Sequence, residues 1–448
     1  MVLVQCSSKL SYLPLPNAVS LLFEPTSFSM ALTHTDSSLS LYPSLSSFSS
    51  LNLKAQTVIA PPSSSSSFLV VKQGRRDPCE HRVIFLVAGP CRGDSRVLMR
   101  FYILQKNRMF ANVRVFSNQK GISVDSKSGV LLDVEHGVSV QVVGSVNFFV
   151  IHSVSFKKIW VFGVKLVSGG KDGDNAEDRL KLMKCAVIAC CSPVWSISMS
   201  FGFLMLGERG GVRVLNLRQL VKGKQMEVNV PSPELVGTAS NKKSNLPNGI
   251  VEDDKCHNES LVSESCLKEN TEKDASSSKQ KSVKCRQDPA DCGSIFIKFT
   301  SPDVSDVTSM NAKAISIIAL TPKNFMILDS SGNMYILDLL SANRLPINRL
   351  RHLPYEMKVH KMAVLPDVLS KTHVIWVSDG FHSVHKLALS VNEAHMNKMD
   401  EDDCQNEPTQ LTVANAIFTC ERVLDVVPLA ANAVSILGKG NIYVYAIP

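Results

Sequence analysis

Several features that would point directly to a function are missing from this 448-residue sequence. No apolar run approaches the about 18 residues that a membrane-spanning helix needs, so no membrane partner is expected. No CxxC pair occurs among the 12 cysteines, which argues against a zinc site, and their irregular spacing argues against a disulfide framework. The cysteines instead fit small buried side chains in a reducing compartment, which favours the nucleus or the cytoplasm.

Catalytic patterns are also missing. The sequence contains no Gly-x-Ser-x-Gly nucleophile elbow, and its glycine-rich stretches lack the spacing of a phosphate-binding loop. His382 and His385 lie near Asp379, but positions three apart in a strand point to opposite faces, so we predict surface histidines rather than metal ligands. We therefore expect no catalytic site, no metal and no cofactor, and a protein that is not an enzyme.

What the sequence does contain is a repeated β-hairpin. The stretch FMILDSSGNMYILDL (325–339) has two alternating apolar arms around a Ser-Ser-Gly-Asn turn, which is typical of a hairpin. The same pattern of apolar arm, polar turn and apolar arm recurs at 28–42, 83–104, 148–166, 203–217, 374–389 and 434–447. Gly, Asp, Asn and Ser at the turns supply the φ angles and local hydrogen bonds that tight turns need.

The hairpins recur at a regular spacing. Most successive hairpins start 49 to 65 residues apart, and a further strand-like segment often precedes the hairpin, as AISIIAL (314–320) precedes the template. This period fits a four-stranded unit plus loops. The chain therefore resembles a divergent WD40-like β-propeller, although it lacks the Trp-Asp and Gly-His signatures. The resemblance implies an all-β fold, most simply with seven blades; a pair of β-sandwiches is the alternative.

The repeat also suggests a domain organisation. Residues 1–222 are predicted to form blades 1–4 and residues 293–448 blades 5–7, with the N-terminus closing the ring. Residues 223–292 are rich in Lys, Glu, Ser and Asn and poor in large apolar residues, so we predict a disordered polar insert that is either an inert loop or a docking segment. Residues 1–67 are Ser-rich and poor in acids, as in an organelle targeting peptide, but their repeat pattern favours a place in the fold.

Basic residues are concentrated around the second predicted blade, with Phe101, Tyr102 and Phe110 between them. Such a mixture could contact a phosphate backbone and stack on bases, and the candidate nucleic-acid contacts are Arg92, Arg96, Arg100, Lys106, Arg108 and Arg114. More often this pattern marks a half-buried strand with a charged outer face. The three tryptophans, Trp160, Trp195 and Trp376, lie in apolar stretches and are predicted to be core residues.

The leading functional hypothesis is a non-enzymatic scaffold for protein–protein interactions, a subunit of a multiprotein complex whose partners bind the loops at the rim of the ring. This inference follows from the fold resemblance and not from a recognised site. Two alternatives are a nucleic-acid-binding propeller with a basic face and a propeller hydrolase with an active site at the channel mouth. The net charge of +8 permits acidic or phosphate-rich partners without requiring them.

Overall fold

The structure is a computed structural model that describes residues 9–14, 17–44, 57–72, 81–125, 129–167, 178–222, 227–230, 294–299, 311–342, 345–365, 372–390 and 410–447. The described residues form 32 strands, arranged in seven sheets, and a single short helix. The chain is therefore an all-β propeller with seven blades, in which each sheet is one blade, as the hairpin repeat predicts.

The N-terminal half of the chain supplies most strands of the first four blades, together with the outermost strand of the seventh. Their bounds are β1 (Lys9–Pro14), β2 (Ala18–Glu24), β3 (Ser29–His34), β4 (Leu39–Tyr42), β5 (Thr57–Ile59), β6 (Ser65–Lys72), β7 (His81–Pro90), β8 (Arg96–Leu104), β9 (Phe110–Asn112), β10 (Arg114–Phe116), β11 (Ile122–Asp125), β12 (Gly129–Glu135), β13 (Val140–Gly144), β14 (Phe148–Ser153), β15 (Lys158–Val167), β16 (Arg179–Cys190), β17 (Ser196–Ser200), β18 (Phe203–Glu208) and β19 (Gly211–Asn216).

The rest of the chain completes the fourth blade and forms the last three. It contains α1 (Leu217–Lys222), β20 (Glu227–Val230), β21 (Ser294–Lys298), β22 (Ala314–Ala319), β23 (Asn324–Asp329), β24 (Met334–Ala342), β25 (Leu345–Leu353), β26 (Lys361–Val364), β27 (Thr372–Ser378), β28 (Ser383–Ser390), β29 (Gln410–Phe418), β30 (Val423–Ala430), β31 (Ala433–Gly438) and β32 (Asn441–Ala446).

Each predicted hairpin is confirmed as the second and third strand of a blade. The template corresponds to β23 and β24, which pair antiparallel from Asn324↔Asp338 to Leu328↔Met334. The alternation of apolar and polar residues that identified the hairpins in the sequence corresponds to alternating burial of side chains in the structure. In β8, for example, residues 97, 99, 101 and 103 are buried, whereas their neighbours are only half-buried, because successive side chains of a strand point to opposite faces.

The ring closes through both ends of the chain. β1 pairs antiparallel with β32, so the seventh blade has the order β1-β32-β31-β30. The first strand of each blade contacts the first strand of the next, in the order β2, β6, β13, β17, β22, β26 and β30, and β30 contacts β2 again. One strand per blade therefore lines a continuous inner wall, and a closed ring leaves few sheet edges for unwanted pairing.

The hydrophobic core lies between neighbouring blades rather than at one centre. Buried side chains form one cluster at each blade-to-blade interface. Between the second and third blades, for example, the rings of Phe149 and Phe162 stack with centroids 5.1 Å apart. Trp376, which is fully buried, packs between the sixth and seventh blades. Each blade is thus stabilised by both neighbours.

The third blade carries additions that the sequence did not predict. β10, which leaves the second blade, pairs parallel with β16 at Arg114↔Arg179, and β20 pairs parallel with the other end of β16 at Val187↔Glu227. β20 falls inside the predicted polar insert, so residues 227–230 are part of a sheet. The prediction of disorder for 223–226 and 231–292 lies outside the described residues. β21, just after the insert, pairs with β19 and completes the fourth blade.

Candidate protein-binding face

One face of the ring presents exposed aromatic side chains next to cationic ones. Because the strands within a blade are antiparallel, the turns between second and third strands lie on the same side of the ring as the connections between blades. We call this side the turn face. Among the residues that the structure describes on this face, the exposed cationic ones are Arg92, Lys157, Lys158, Arg209, Lys358, Lys361, Arg422 and Lys439, and the exposed acidic ones are Asp36, Glu135 and Glu356. Cationic side chains therefore outnumber acidic ones within this described part of the face.

The first aromatic group on the turn face is the Trp195 corner, formed by Trp195, Arg209 and Lys313. Trp195 is 43 % exposed and lies in the connection between the third and fourth blades. The Lys313 Nζ atom lies 3.9 Å from the centroid of the Trp195 ring, a cation–π contact. The backbones of Lys313 and Arg209 form an isolated antiparallel bridge, which places the Arg209 turn beside the pair.

A glycine and a serine bring the Trp195 corner together. The Ser196 Oγ atom donates a hydrogen bond to the Ala314 carbonyl oxygen at 2.8 Å, which joins the inner strands of the fourth and fifth blades. A side chain on Gly207 would collide with both of those groups, so only glycine allows this approach. The backbone N–H of Trp195 donates to the Gly207 carbonyl oxygen at 2.7 Å. The aromatic residue is therefore held next to Lys313 by backbone contacts.

A second aromatic group, the Phe381 corner, consists of His360, Phe381 and Arg422. Phe381 is 54 % exposed at the tip of the β27–β28 turn. The Arg422 Cζ atom lies 5.5 Å from the centroid of its ring, and the His360 ring meets it edge-on with centroids 6.2 Å apart. The Arg422 Nε atom also donates to the Gly380 carbonyl oxygen at 3.1 Å, so the guanidinium is fixed against the turn.

The turn that presents Phe381 is held by a carboxylate. One oxygen of Asp379 accepts the backbone N–H groups of Phe381 and Ser383, at 2.8 Å and 3.1 Å. Burial alone would raise the pKa of the Asp379 carboxyl, but these hydrogen bonds outweigh it and hold the pKa below its usual value. The carboxylate is therefore ionised at neutral pH and keeps the turn ordered.

The fourth blade also contains a buried ion pair close to the turn face. The Arg213 Nε atom lies 2.6 Å from the Glu208 Oε1 atom, and its Nη2 atom lies 3.2 Å from Oε2. Both side chains are at least 95 % buried. Burial, together with the Glu208 charge, raises the pKa of the nearby Cys190 thiol to about 12, so this cysteine stays a neutral core residue. The pair fixes the hairpin that carries Arg209.

The six basic residues predicted to contact nucleic acid are spread over the second blade and its neighbour. Arg92 and Arg96 lie at the turn-face end of β8, whereas Lys106 and Arg108 follow its opposite end, and Arg114 lies in β10 at the edge of the third blade. The nine residues of β8 separate its two ends by roughly 25 Å.

Arg96 and Arg100 make contacts within the protein itself. Arg96 forms an ion pair with Asp94 at 2.6 Å, and Arg100 donates to the carbonyl oxygens of Ala60 and Pro62 at 3.2 Å each. Nucleic-acid contact by these residues stays a prediction.

The histidines near Asp379 make hydrogen bonds within the protein. The His382 Nδ1 atom lies 3.2 Å from the Thr419 carbonyl oxygen, and the His385 Nδ1 atom lies 2.5 Å from the Tyr355 hydroxyl oxygen. Burial lowers the pKa of His385 below its usual value. Within the described ranges, no group of three or more His, Cys, Asp or Glu side chains is placed to hold a metal ion.

The prediction for the tryptophans is right for two and wrong for one. Trp160 and Trp376 are buried, whereas Trp195 is 43 % exposed. Trp195 precedes the first residue of β17 and belongs to the connection between the third and fourth blades, where its ring contacts Lys313 and not the core of a blade. Pro193, two residues earlier, disfavours a continuing strand and is the sequence signal that could have indicated this.

The comparisons with known proteins concern the fold alone. No protein family model matches the chain, and no curated protein matches it. Among solved structures, the chain is similar to the β-propeller domain of Cps50 (Swd1) from Myceliophteria thermophila, with 8 % identity over 98 % of this chain and 99 % of that one and a TM-score of 0.48. None of the helices in the described part of the chain is long and apolar enough to cross a membrane.

Proposed function

We propose that this chain is a non-enzymatic scaffold that binds a protein partner through its turn face, as a subunit of a multiprotein complex. The observation that carries the proposal is the pairing of exposed aromatic rings with fixed cations at the Trp195 corner and the Phe381 corner. Aromatic side chains and arginine are enriched at the centres of protein interfaces, where they contribute most of the binding energy.

The geometry favours a partner with acidic and apolar side chains. The exposed part of Trp195, about two fifths of its surface, would be covered on binding, which is worth about 2 kcal/mol at 25 cal/mol per Å². Carboxylates of the partner would meet Lys313 and Arg422, whose positions are already fixed by contacts within the protein. Fixed side chains lose little conformational entropy on binding, so the contacts are pre-organised.

Affinity purification of the full chain from a cell extract, followed by mass spectrometry, tests this function. A stoichiometric partner should be retained by the wild-type chain and by Phe201→Ala. It should be lost with Trp195→Ala combined with Lys313→Glu. Phe201 is a matched control because it is equally exposed, at 43 %, but lies in the turn between β17 and β18 on the opposite face. Partner loss with Phe201→Ala alone would place binding on the other face.

The compartment is part of the same proposal. The cysteine pattern favours the nucleus or the cytoplasm, and a fluorescent tag at the C-terminus of the full chain would test this in living cells. Accumulation in an organelle would support the targeting interpretation of residues 1–67 instead.

A further inference from the structure

A groove between the second and third blades has walls of opposite charge. It encloses about 240 Å³ and lies between β12 of the second blade and β15 and β16 of the third. Asp133 and Glu135 line one wall, Lys158 and Lys184 line the other, and Trp160 of β15 also lines the groove. We call this the blade 2–3 groove.

The charges that face each other across the groove do not neutralise one another directly. Within the described ranges, ion pairs join Arg82 with Asp178, Arg96 with Asp94, Arg213 with Glu208 and Arg351 with Asp338. None of them joins an acid to a lysine across this groove. Two carboxylates and two ammonium groups therefore line one small space without a direct ion pair between them. Arg96 interacts electrostatically with Asp133 from the neighbouring strand, but the lysines of the facing wall have no acid among the described residues paired with them across the groove. A ligand with both charges would meet both walls.

Contacts between the two blades hold the walls in place. The side chain of Gln119 lies against the backbone of Lys184: its Oε1 atom accepts the Lys184 N–H at 2.5 Å, and its Nε2 atom donates to the Lys184 carbonyl oxygen at 3.3 Å. At the turn-face end, the Val138 N–H donates to the Ser155 Oγ atom at 2.9 Å. The groove is therefore bounded by fixed backbone at both ends and does not depend on a movable loop.

The rim of the groove is apolar and exposed. Val138 is 88 % exposed, Val154 is 53 % exposed, and Phe156, which also lines the groove, is 44 % exposed. These three residues lie together, because the hydrogen bond from Val138 joins their two loops. Exposed apolar residues that are contiguous and bordered by charges are typical of a surface that another protein covers.

The size of the groove decides between a small molecule and a polypeptide. Pockets for drug-sized ligands and cofactors usually measure about 300–1,000 Å³, so 240 Å³ is small for such a ligand. It suits one or two side chains of a bound protein segment. A neighbouring apolar residue of the same bound segment then packs against the apolar rim.

We propose that the blade 2–3 groove binds a segment of a partner protein in which an acidic and a basic side chain flank an apolar residue. The basic side chain pairs with Asp133 and Glu135, the acidic side chain pairs with Lys158 and Lys184, and the apolar residue packs against Phe156. The proposal extends the scaffold function to a second site. The groove shares no residue with the Trp195 corner or the Phe381 corner, so either site can fail without the other.

Selection from a displayed library of random 12-residue peptides on the purified full chain tests this proposal. We expect enriched peptides that carry an acidic and a basic residue around an apolar one, with affinities measurable by fluorescence anisotropy. Lys184→Glu should weaken their binding at least tenfold, and so should Asp133→Lys. The matched control is Lys323→Glu, an exposed lysine of the β22–β23 turn on the opposite face, which should leave the affinity unchanged.

A charge-swapped chain gives the sharpest outcome. Asp133→Lys combined with Lys184→Glu should prefer a peptide in which the acidic and basic residues are exchanged, and circular dichroism should show an unchanged fold. Failure to enrich peptides of mixed charge, or equal binding by wild type and Lys184→Glu, would overturn the proposal. Concentration-dependent self-association that Lys184→Glu abolishes would also overturn it, because the groove would then bind a second copy of the chain.

Discussion

His152 should make the stability of this protein depend on pH. It lies in β14 of the third blade and is 2 % exposed, and its Nδ1 atom is buried without a hydrogen-bond partner. Burial lowers the pKa of His152 from 6.5 to about 4. The folded chain therefore keeps the ring neutral at pH values where the unfolded chain binds a proton.

The sign and size of the effect follow from this pKa. Above pH 6.5 the ring is neutral in both the folded and the unfolded state, so the pKa difference does not change the free energy of unfolding. As the pH falls through 6.5 towards 4, the unfolded state gains a proton that the folded state cannot bind, so stability is lost. The loss is about 2 kcal/mol by pH 5 and about 3 kcal/mol at lower pH, at 1.36 kcal/mol for each pKa unit.

Urea unfolding of wild type and His152→Leu between pH 7.5 and pH 4.5 measures this difference. Leucine fills a similar volume and does not titrate, so the free energy of unfolding of the variant should fall less steeply with acid than that of wild type. An exposed histidine, His360→Gln, serves as the control and should follow the wild-type profile. A constant difference between wild type and His152→Leu across this pH range would refute the reasoning.

Three other predictions concern buried polar contacts, and urea unfolding at pH 7 measures each of them. Arg213→Met should lower the free energy of unfolding by about 3–5 kcal/mol, because it leaves the Glu208 carboxylate buried without its partner. Adding Glu208→Leu to this variant should restore much of the loss, and an Arg213→Met variant as stable as wild type would contradict the prediction. Asp329→Ala should cost about 2–3 kcal/mol, because the fully buried Asp329 accepts the N–H groups of the β23–β24 turn, and an unchanged urea midpoint would show that water replaces the carboxylate there. The Asp425 carboxylate accepts the Leu21 backbone N–H at 3.1 Å and joins the seventh blade to the first, and burial raises the pKa of this carboxyl. Asp425→Asn, which keeps an acceptor without a charge, should therefore be at least as stable as wild type, whereas Asp425→Ala should lose about 1–2 kcal/mol of unfolding free energy. Equal stability of the two variants would argue against this hydrogen bond.

The blades could be predicted from sequence because each one depends on local rules. The Asp329 side chain of the β23–β24 hairpin accepts hydrogen bonds from Ser331 and Asn333 of the same turn, so a short stretch of sequence contains the contacts that shape this turn. The alternating burial of β8 likewise follows from strand geometry alone. The expectation that the N-terminus pairs with the last strand rested on the requirement that a propeller closes, and β1 pairs there.

Features that depend on distant pairings other than the closure of the ring could not be predicted. β10 and β20 are three and four residues long, and they are strands only because β16 extends far enough to pair with both. The blade 2–3 groove joins Asp133 to Lys184, which are far apart in sequence and meet only when two blades pack. Trp195 was misassigned because its apolar surroundings in sequence resemble a strand, whereas its position between blades leaves it exposed.

The proposed protein partner covers the turn face of the ring. Hydrogen exchange measured by mass spectrometry on the full chain, alone and with a partner isolated by affinity purification, tests this most directly. We expect slower exchange in the turn-face segments 191–195 and 419–422 when the partner is bound, with no change in the opposite turns around Phe28 and Phe201. Protection confined to those opposite turns would contradict the proposal.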